Sequence, residues 1–146
     1  MKLNILIVED EIEIREGVSE YLSEVGYNVI TAEDGIQAIE LFNKNKIEKY
    51  LEDNYHIDIS LDNLADYLGH SFKYTSILFK KVMGDNFKNY LNIYRIEKAK
   101  EIMAENKDIK IKDLAERIGY NSSNTFIRIF RKYEGVSPGK YFGLNE

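Results

Sequence analysis

Cysteine is absent from this 146-residue chain, so neither a disulfide framework nor a thiolate metal site can form. The apolar stretches are too short to cross a bilayer, and acidic residues follow the first of them at once, which leaves no visible secretory signal. The default expectation is a cytoplasmic protein. Proline is nearly absent too: Pro138 is the only one, so long helices can form upstream of it.

An excess of basic charge is also missing, since the formal net charge is −5. The balance differs along the chain: residues 1–43 hold 2 basic and 10 acidic side chains, whereas residues 44–146 hold 18 basic and 15 acidic ones. This asymmetry predicts two modules, 1–43 and 44–146, with different partners. The small positive balance of the second module does not by itself identify a nucleic-acid binder, so the positions of the charges must decide.

Catalytic patterns are missing as well. The chain has no glycine-rich phosphate loop, no nucleophile elbow and no pair of catalytic acids. His56 and His70 are far apart and have no carboxylates at metal-ligand spacing, so satisfied or solvated histidines are the simpler interpretation. We expect no enzyme activity, no cofactor and no bound metal.

The first module alternates strand and helix signals. Residues 3–8 form a short apolar run of strand length, and an amphipathic helix with Ile14, Val18, Tyr21, Leu22 and Val25 on one face follows, ending at Gly26. Residues 27–31 predict a second strand, and a helix begins near Gly35. This order opens a parallel α/β sheet. No proline or glycine interrupts the last helix, so we expect it to continue through Leu51.

An internal repeat organises the second module, in which strand signals disappear and helices are expected throughout. Residues 59–84 and 109–135 each contain a short helix, a turn with glycine and a longer helix with basic residues. The matching pairs are Ile59 and Ile109, Leu64 and Leu114, Ala65 and Ala115, Gly69 and Gly119, Phe79 and Phe130, Lys81 and Lys132, and Gly84 and Gly135. The pattern predicts two helix-turn-helix units.

Two interpretations of the repeat remain open at this point: an ordinary helical bundle or a DNA-binding pair. Either one places Leu64, Ala65, Leu68, Leu78 and Phe79 in the core. The outward faces of the second helices favour DNA because they lack acidic residues in an acid-rich chain. These faces carry Lys73, Ser76, Ile77 and Lys80 in the first copy, and Asn124, Ile127, Arg128 and Arg131 in the second.

A long amphipathic helix from about Asn86 to Glu105 is predicted between the two copies. About 20 residues at about 1.5 Å each would span about 30 Å. Since the pitch of B-DNA is about 34 Å, such a helix could hold two recognition helices in successive major grooves.

Residues 45–143 resemble the AraC/XylS DNA-binding domain. The resemblance rests on LADYLG with Ser71, Tyr74, Ser76 and Leu78, on YLNIYRIEKAKEIM, on LAERIGY, and on FIRIFRKYEGVSPGKYF. It implies a mainly helical fold with two helix-turn-helix subdomains joined by a long helix, and sequence-specific binding to double-stranded promoter DNA. RNA polymerase is a further candidate partner.

The resemblance also implies site residues. Base readout would come from Lys73, Ser76, Ile77, Ser123, Asn124 and Arg128, whereas Lys80, Lys81, Arg131 and Lys132 would contact phosphates. Arg128 suits guanine and Asn124 suits adenine in the major groove. Ile77 departs from the polar or basic residue common in relatives, and it could contact a thymine methyl group.

Residues 2–42 resemble the first third of a response-regulator receiver domain through ILIVEDE, VGY and AEDGIQAIELF. In that family the acidic pair matching Glu9 and Asp10 binds Mg²⁺ beside a phosphorylated aspartate. The later strands that carry the aspartate, a Ser/Thr and a Lys are missing. Asp53 lies at a similar distance, but its surroundings predict a helix. We therefore expect a β-α-β-α fragment with Glu9 and Asp10 vestigial and no phosphoryl chemistry.

Two parallel strands with two helices cannot close a core, so Ile5, Ile7, Val29 and Ile30 should be only partly buried. The open strand edge makes a homodimer through this fragment a candidate assembly. A second function also remains open: a signalling or interaction module that acts through the receiver fragment.

Overall fold

The computed structural model describes residues 2–106 and 108–143, which are mainly helical. The elements of this part of the chain are β1 (Asn4–Val8), α1 (Ile12–Glu24), β2 (Asn28–Ala32), α2 (Gly35–Asn54), α3 (Leu61–Leu68), α4 (Phe72–Met83), α5 (Phe87–Glu105), α6 (Ile111–Arg117), α7 (Ser123–Glu134) and α8 (Pro138–Phe142). The chain divides into two compact units, Met1–Ile47 and Glu48–Glu146. The uninterrupted helix predicted through Leu51 is confirmed by α2.

The first unit contains a two-stranded parallel sheet. β1 pairs with β2 from Asn4 opposite Asn28 to Val8 opposite Ala32, so both predicted strands are confirmed within one residue at each end. The apolar side chains of the strands are half-buried at Ile5, Ile7, Val29 and Ile30, as predicted. The physical reason is the width of the sheet. Two strands about 4.8 Å apart form a sheet too narrow for its apolar side chains to be covered fully on both faces.

Helix α1 forms where the periodicity predicts it, but no residue of it is buried. Its apolar face stays largely open to solvent: Tyr21 is 65% exposed and Val25 58% exposed. A helix with its side chains is about 10 Å wide, which is more than one pair of strands can cover. The amphipathic pattern therefore correctly predicted the helix, but the described part of this unit covers little of its apolar face.

The first helix-turn-helix of the second unit consists of α3 and α4. Ser60 caps α3 by accepting a hydrogen bond from the backbone N–H of Asn63, whose side chain bonds back to the Ser60 N–H. Gly69 ends α3 in the left-handed conformation at φ +70°. The predicted core is confirmed, because Leu64, Ala65, Leu68, Leu78 and Phe79 are all buried.

The second helix-turn-helix, α6 and α7, has its own aromatic core with α8 beside it. Phe126 and Phe130 are fully buried and lie 5.6 Å apart between ring centroids. Ser137 caps α8, and Pro138 occupies the first turn, where its missing N–H leaves no bond unmade.

Helix α5 is shared by both subdomains. Near its start, Phe87 packs edge-on against Phe79 of α4 at 5.3 Å. Its second half contributes Ile96, Ala99, Ile102 and Met103 to the buried cluster of the second subdomain. Nineteen residues give it a length of about 28 Å. In the described ranges, no helix combines the length and apolar character that crossing a membrane requires.

Candidate nucleic-acid interface

Helix α4 separates its buried face from its outward face clearly. Thr75, Leu78 and Phe79 are buried against the subdomain core. The predicted readout residues Lys73, Ser76 and Ile77 are exposed, as are the predicted phosphate contacts Lys80 and Lys81. Ile77 is 61% exposed. An apolar side chain presented this openly at the centre of a helix face is suited to contact with another apolar group, such as a thymine methyl.

Helix α7 repeats the arrangement with more charge. Phe126 and Phe130 point into the core, whereas Asn124 and Arg128 are exposed on the other side. Ser123 and Ile127 are half-buried, and the phosphate candidates Arg131 and Lys132 in the last turn are exposed. The outward face therefore carries an amide and two guanidinium groups, which can donate hydrogen bonds to base edges and phosphates.

A groove of about 660 Å³ in the second unit is lined by residues of both subdomains and of α5. Ser76 of α4 lines one part of it and Arg128 of α7 lines another. Helix α5 contributes Lys88 and Asn92 to the lining. Two predicted readout residues, one from each subdomain, therefore line the same groove.

An ion-pair triad holds the end of α7 against α5. Lys100 Nζ lies 2.7 Å from a carboxylate oxygen of Glu134 and 2.8 Å from one of Glu97. Burial lowers the pKa of Lys100, but its hydrogen bonds to Glu134 and Glu97 outweigh that effect and leave the pKa above its usual value. Lys100 therefore stays charged at neutral pH, and the triad links α7 to the shared helix.

Sequence reasoning missed a polar cluster at the middle of α5. Arg95 is only 7% exposed and donates from Nε to the Tyr55 carbonyl at 2.8 Å and from Nη2 to the Ile57 carbonyl at 2.7 Å. Its guanidinium lies over the Tyr120 ring at 5.2 Å. A signal was present in the sequence, because Arg95 is a charged residue four positions after the buried Leu91, on the helix face that should be apolar.

Tyr120 completes this cluster. Its hydroxyl donates to Asn92 Oδ1 at 3.0 Å. Burial raises its pKa to about 12, although the nearby Arg95 charge acts in the opposite direction and Tyr133 adds to the rise. The phenol therefore remains a neutral hydrogen-bond donor to α5 at physiological pH.

The described acidic side chains of the first unit are not clustered as the ligands of a metal ion would be. Glu9 Oε1 accepts a hydrogen bond from the Glu11 N–H at 3.1 Å, and Arg15 donates to the Glu9 carbonyl. Asp53, in the second unit, lies in the last turn of α2 and pairs with Lys49 at 3.5 Å, in the helix that its sequence surroundings predict. Across residues 2–106 and 108–143, no three histidine or acidic side chains meet as the ligands of one metal ion.

A family model described as a helix-turn-helix domain matches residues 64–143, which is more than half of the chain. The HTH-type transcriptional regulator YtdP of Bacillus subtilis is 41% identical over 87 residues, covering 60% of this chain and 11% of that protein. The chain thus spans about a tenth of the length of this curated relative.

Two solved structures share the fold of the second unit. The C-terminal domain of the two-component response regulator yesN of Fusobacterium nucleatum is 34% identical, with a TM-score of 0.64, and the match covers 68% of this chain and 96% of that one. The C-terminal domain of AraT, a response regulator of Geobacillus stearothermophilus, is 29% identical, with a TM-score of 0.66, covering 71% and 88%.

Proposed function

This chain belongs to the AraC-type helix-turn-helix family of DNA-binding transcriptional regulators, and from that premise we propose that it binds promoter DNA through both subdomains at once. The groove shared by Ser76 and Arg128 carries the proposal. A single duplex can reach both outward faces only if they open to the same side. Helix α5, which joins the two subdomains, is about 28 Å long, and a separation of that size suits binding in two major grooves about one DNA turn apart.

Within this proposal, the outward residues have two roles. Lys73, Ser76 and Ile77 of α4, with Ser123, Asn124 and Arg128 of α7, read base edges. Lys80, Lys81, Arg131 and Lys132 neutralise phosphates and fix the register of the duplex. Their position supports this role, because all four lie in the last turns of α4 and α7 and are exposed.

The test is a selection by the full chain from a pool of random duplexes, followed by sequencing of the bound fraction. We expect two enriched motifs with centres about 10 base pairs apart, one for each subdomain. The Ser76→Glu/Arg128→Glu double variant, which adds two negative charges to the groove, should enrich nothing. Enrichment of a single motif would contradict simultaneous binding, and the absence of any motif would contradict sequence-specific recognition.

We propose in addition that residues 1–43 are a truncated receiver-like domain, separate from the DNA-binding domain of residues 44–146, and that they do not accept a phosphoryl group. The β1-α1-β2-α2 order supports the lineage, as does the likeness to C-terminal domains of two proteins described as response regulators. The helical setting of Asp53 and its pairing with Lys49 argue against phosphorylation there. Glu9 and Asp10 are then vestigial.

Acetyl phosphate separates this proposal from the alternative, a signalling module that acts through the first unit. The full chain is incubated with acetyl phosphate and Mg²⁺, and its intact mass is measured. We expect the mass to stay unchanged. A stoichiometric phosphoryl adduct that is lost in Asp10→Asn or Asp53→Asn would establish phosphoryl chemistry and favour the alternative.

For partners beyond DNA we propose a homodimer through the first unit, with RNA polymerase as a candidate at the promoter. Exposed apolar surface supports the dimer: among the described residues, eleven of the eighteen exposed large apolar side chains lie between Leu3 and Phe42. A second copy could cover part of this surface by adding its β1 to the open edge of β1.

One antiparallel register of two β1 strands suits the charges. If Leu6 faces Leu6 of the second copy, Lys2 lies opposite Asp10 of that copy and Leu3 opposite Glu9, while β1 itself, residues 4–8, carries no charge. Side chains that face each other then lie on the same side of the enlarged sheet, so both α1 helices cover one face. The register joins apolar strand to apolar strand and places unlike charges at both ends.

A further inference from the structure

Three separate segments of the second unit meet at Arg95. The guanidinium donates to the carbonyls of Tyr55 and Ile57, which follow α2 and lead into the first helix-turn-helix. Arg95 itself belongs to the shared helix α5. On its other side lies Tyr120, in the turn that leads into α7. One buried cation therefore contacts the entry to the first subdomain and the turn of the second.

The contacts of Arg95 are directional. The carbonyls just past the end of a helix lack helical partners and carry partial negative charge, so two of them suit the fork of guanidinium N–H groups. A lysine at this position would have a single ammonium group and could not reach two diverging carbonyls with the same geometry. The arrangement thus fixes the orientation of residues 55–57 relative to α5, beyond supplying a charge.

Gly119 shows how closely the second turn approaches this cluster. A Cβ atom at Gly119 would lie 2.6 Å from the Tyr55 carbonyl oxygen and 2.7 Å from Arg95 Nη2. At the equivalent Gly69 of the first turn, no atom of the described residues lies within 4 Å of such a position. Both glycines have positive φ, +87° and +70°. Of the two turns, therefore, the second closes onto Arg95 and the segment before α3, and the first does not.

We propose that Arg95 is a positioning residue that fixes the two helix-turn-helix subdomains in the relative placement that lets both recognition helices bind one duplex. The inference rests on the proposed function. Two linked binding surfaces gain affinity from each other only while their separation matches the spacing of their sites. A hinge at the middle of α5 would widen the range of separations and reduce that gain, while each recognition helix would still bind its own half-site.

Duplex binding tests the proposal in the full chain. The probes are the duplex selected by the unchanged chain, the same duplex with one half-site scrambled, and versions with 2 base pairs added between the half-sites. We expect Arg95→Met to lower affinity for the selected duplex by about tenfold or more. Its affinity for the half-scrambled duplex should change by less than about twofold, and the loss caused by the added base pairs should become smaller.

Matched variants separate positioning from simple loss of charge or fold. Lys98→Met removes a cation from the same helix, where Lys98 pairs with Glu101 at 2.7 Å and lies over the Tyr94 ring, and should leave all duplex affinities unchanged. Arg95→Lys keeps the charge and should still lose full-site affinity. Gly119→Ala should reproduce the Arg95→Met pattern, whereas Gly69→Ala, which adds similar backbone strain in open space, should not. A variant set in which full-site and half-site affinities fall together would overturn the proposal.

A measurement without DNA distinguishes failure of this inference from failure of the proposed function. The chain has no cysteine, so spin labels can be placed at Asp66→Cys on α3 and Arg117→Cys on α6 alone. We expect a narrow distance distribution in the otherwise unchanged chain and a clearly broader one with Arg95→Met or Arg95→Lys. Equal widths would refute the positioning role even if DNA binds. If the distribution broadens but no duplex is ever selected, the proposed function is what fails.

Discussion

Arg128 and Lys132 lie one turn apart on α7, and both are exposed, but the proposed roles give them different consequences. A guanidinium that contacts guanine with two hydrogen bonds discriminates between bases, whereas an ammonium near phosphate adds the same affinity on every sequence. Arg128→Ala should therefore cost about 1–3 kcal/mol on the selected duplex and relax preference at one base position.

Lys132→Ala should instead weaken binding to all duplexes alike and reduce the slope of log affinity against log salt by about 1. Titration of both variants against the selected duplex and a shuffled one, at several salt concentrations, checks the pair. Identical behaviour of the two variants on both duplexes would contradict the assignment of readout to Arg128 and phosphate contact to Lys132.

The raised pKa of Tyr120 leads us to expect that the folded chain loses stability at alkaline pH. Burial raises its pKa to about 12, whereas an unfolded tyrosine loses its proton near 10. The folded state holds this proton more tightly than the unfolded state does. The contribution of Tyr120 to the free energy of unfolding is therefore complete below pH 10 and decreases up to about pH 12, by about 3 kcal/mol at most. Urea unfolding of the full chain at pH 8, 10 and 12 measures the decline.

The Tyr120→Phe variant isolates the phenol. It should be less stable at pH 8 by about 1 kcal/mol, because the hydrogen bond to Asn92 is lost, yet its stability should fall less between pH 10 and 12. Tyr21→Phe, a change at an exposed tyrosine, is the control and should leave the decline as it is. An equally steep decline in Tyr120→Phe would rule out Tyr120 as its source.

At the scale of single elements, two serines that each precede a helix should differ in their effect on stability. Ser60 caps α3 in a reciprocal pair with Asn63, whereas Ser122 precedes α7 without a side-chain cap bond. Ser60→Ala should cost about 1 kcal/mol of unfolding free energy, and Ser122→Ala less than about 0.5 kcal/mol. Urea midpoints at a constant slope report both values, and an equal loss from the two changes would refute the capping argument.

Element positions were predictable from the sequence because helix and strand periods are local properties. The repeat, its glycine turns and the buried Leu64, Leu78 and Phe79 followed from spacing alone. The Arg95 cluster did not, since it joins residues 38 and 40 positions apart that no periodicity relates. For the same reason, the shared lining of the groove by Ser76 and Arg128 could be hypothesised from the length of α5 but became visible only in three dimensions.

At the scale of the whole chain, the two units differ in how much of their apolar side-chain surface is buried. The second unit buries fully apolar side chains such as Leu64, Leu114 and Phe126, each with 0% exposure. The first unit leaves Leu3, Ile36 and Tyr21 at least 65% exposed on a sheet of two strands. Since monomeric proteins rarely leave large continuous apolar patches uncovered, the first unit is where self-association is expected.

The proposed dimer through the edge of β1 can be tested at Leu6, because the two copies of this residue lie side by side at the two-fold axis of the dimer. Leu6→Lys places two positive charges next to each other in that assembly, on side chains that solvent already reaches in the single chain, so folding should persist while pairing fails. Ile36→Lys, at a more exposed apolar position outside the strands, is the matched control. Sedimentation equilibrium over increasing protein concentration should show mass rising towards a dimer for the unchanged chain and for Ile36→Lys, and a constant monomer mass for Leu6→Lys. A constant monomer mass in all three would exclude the dimer, and a dimer that survives Leu6→Lys would exclude the β1 edge as its interface.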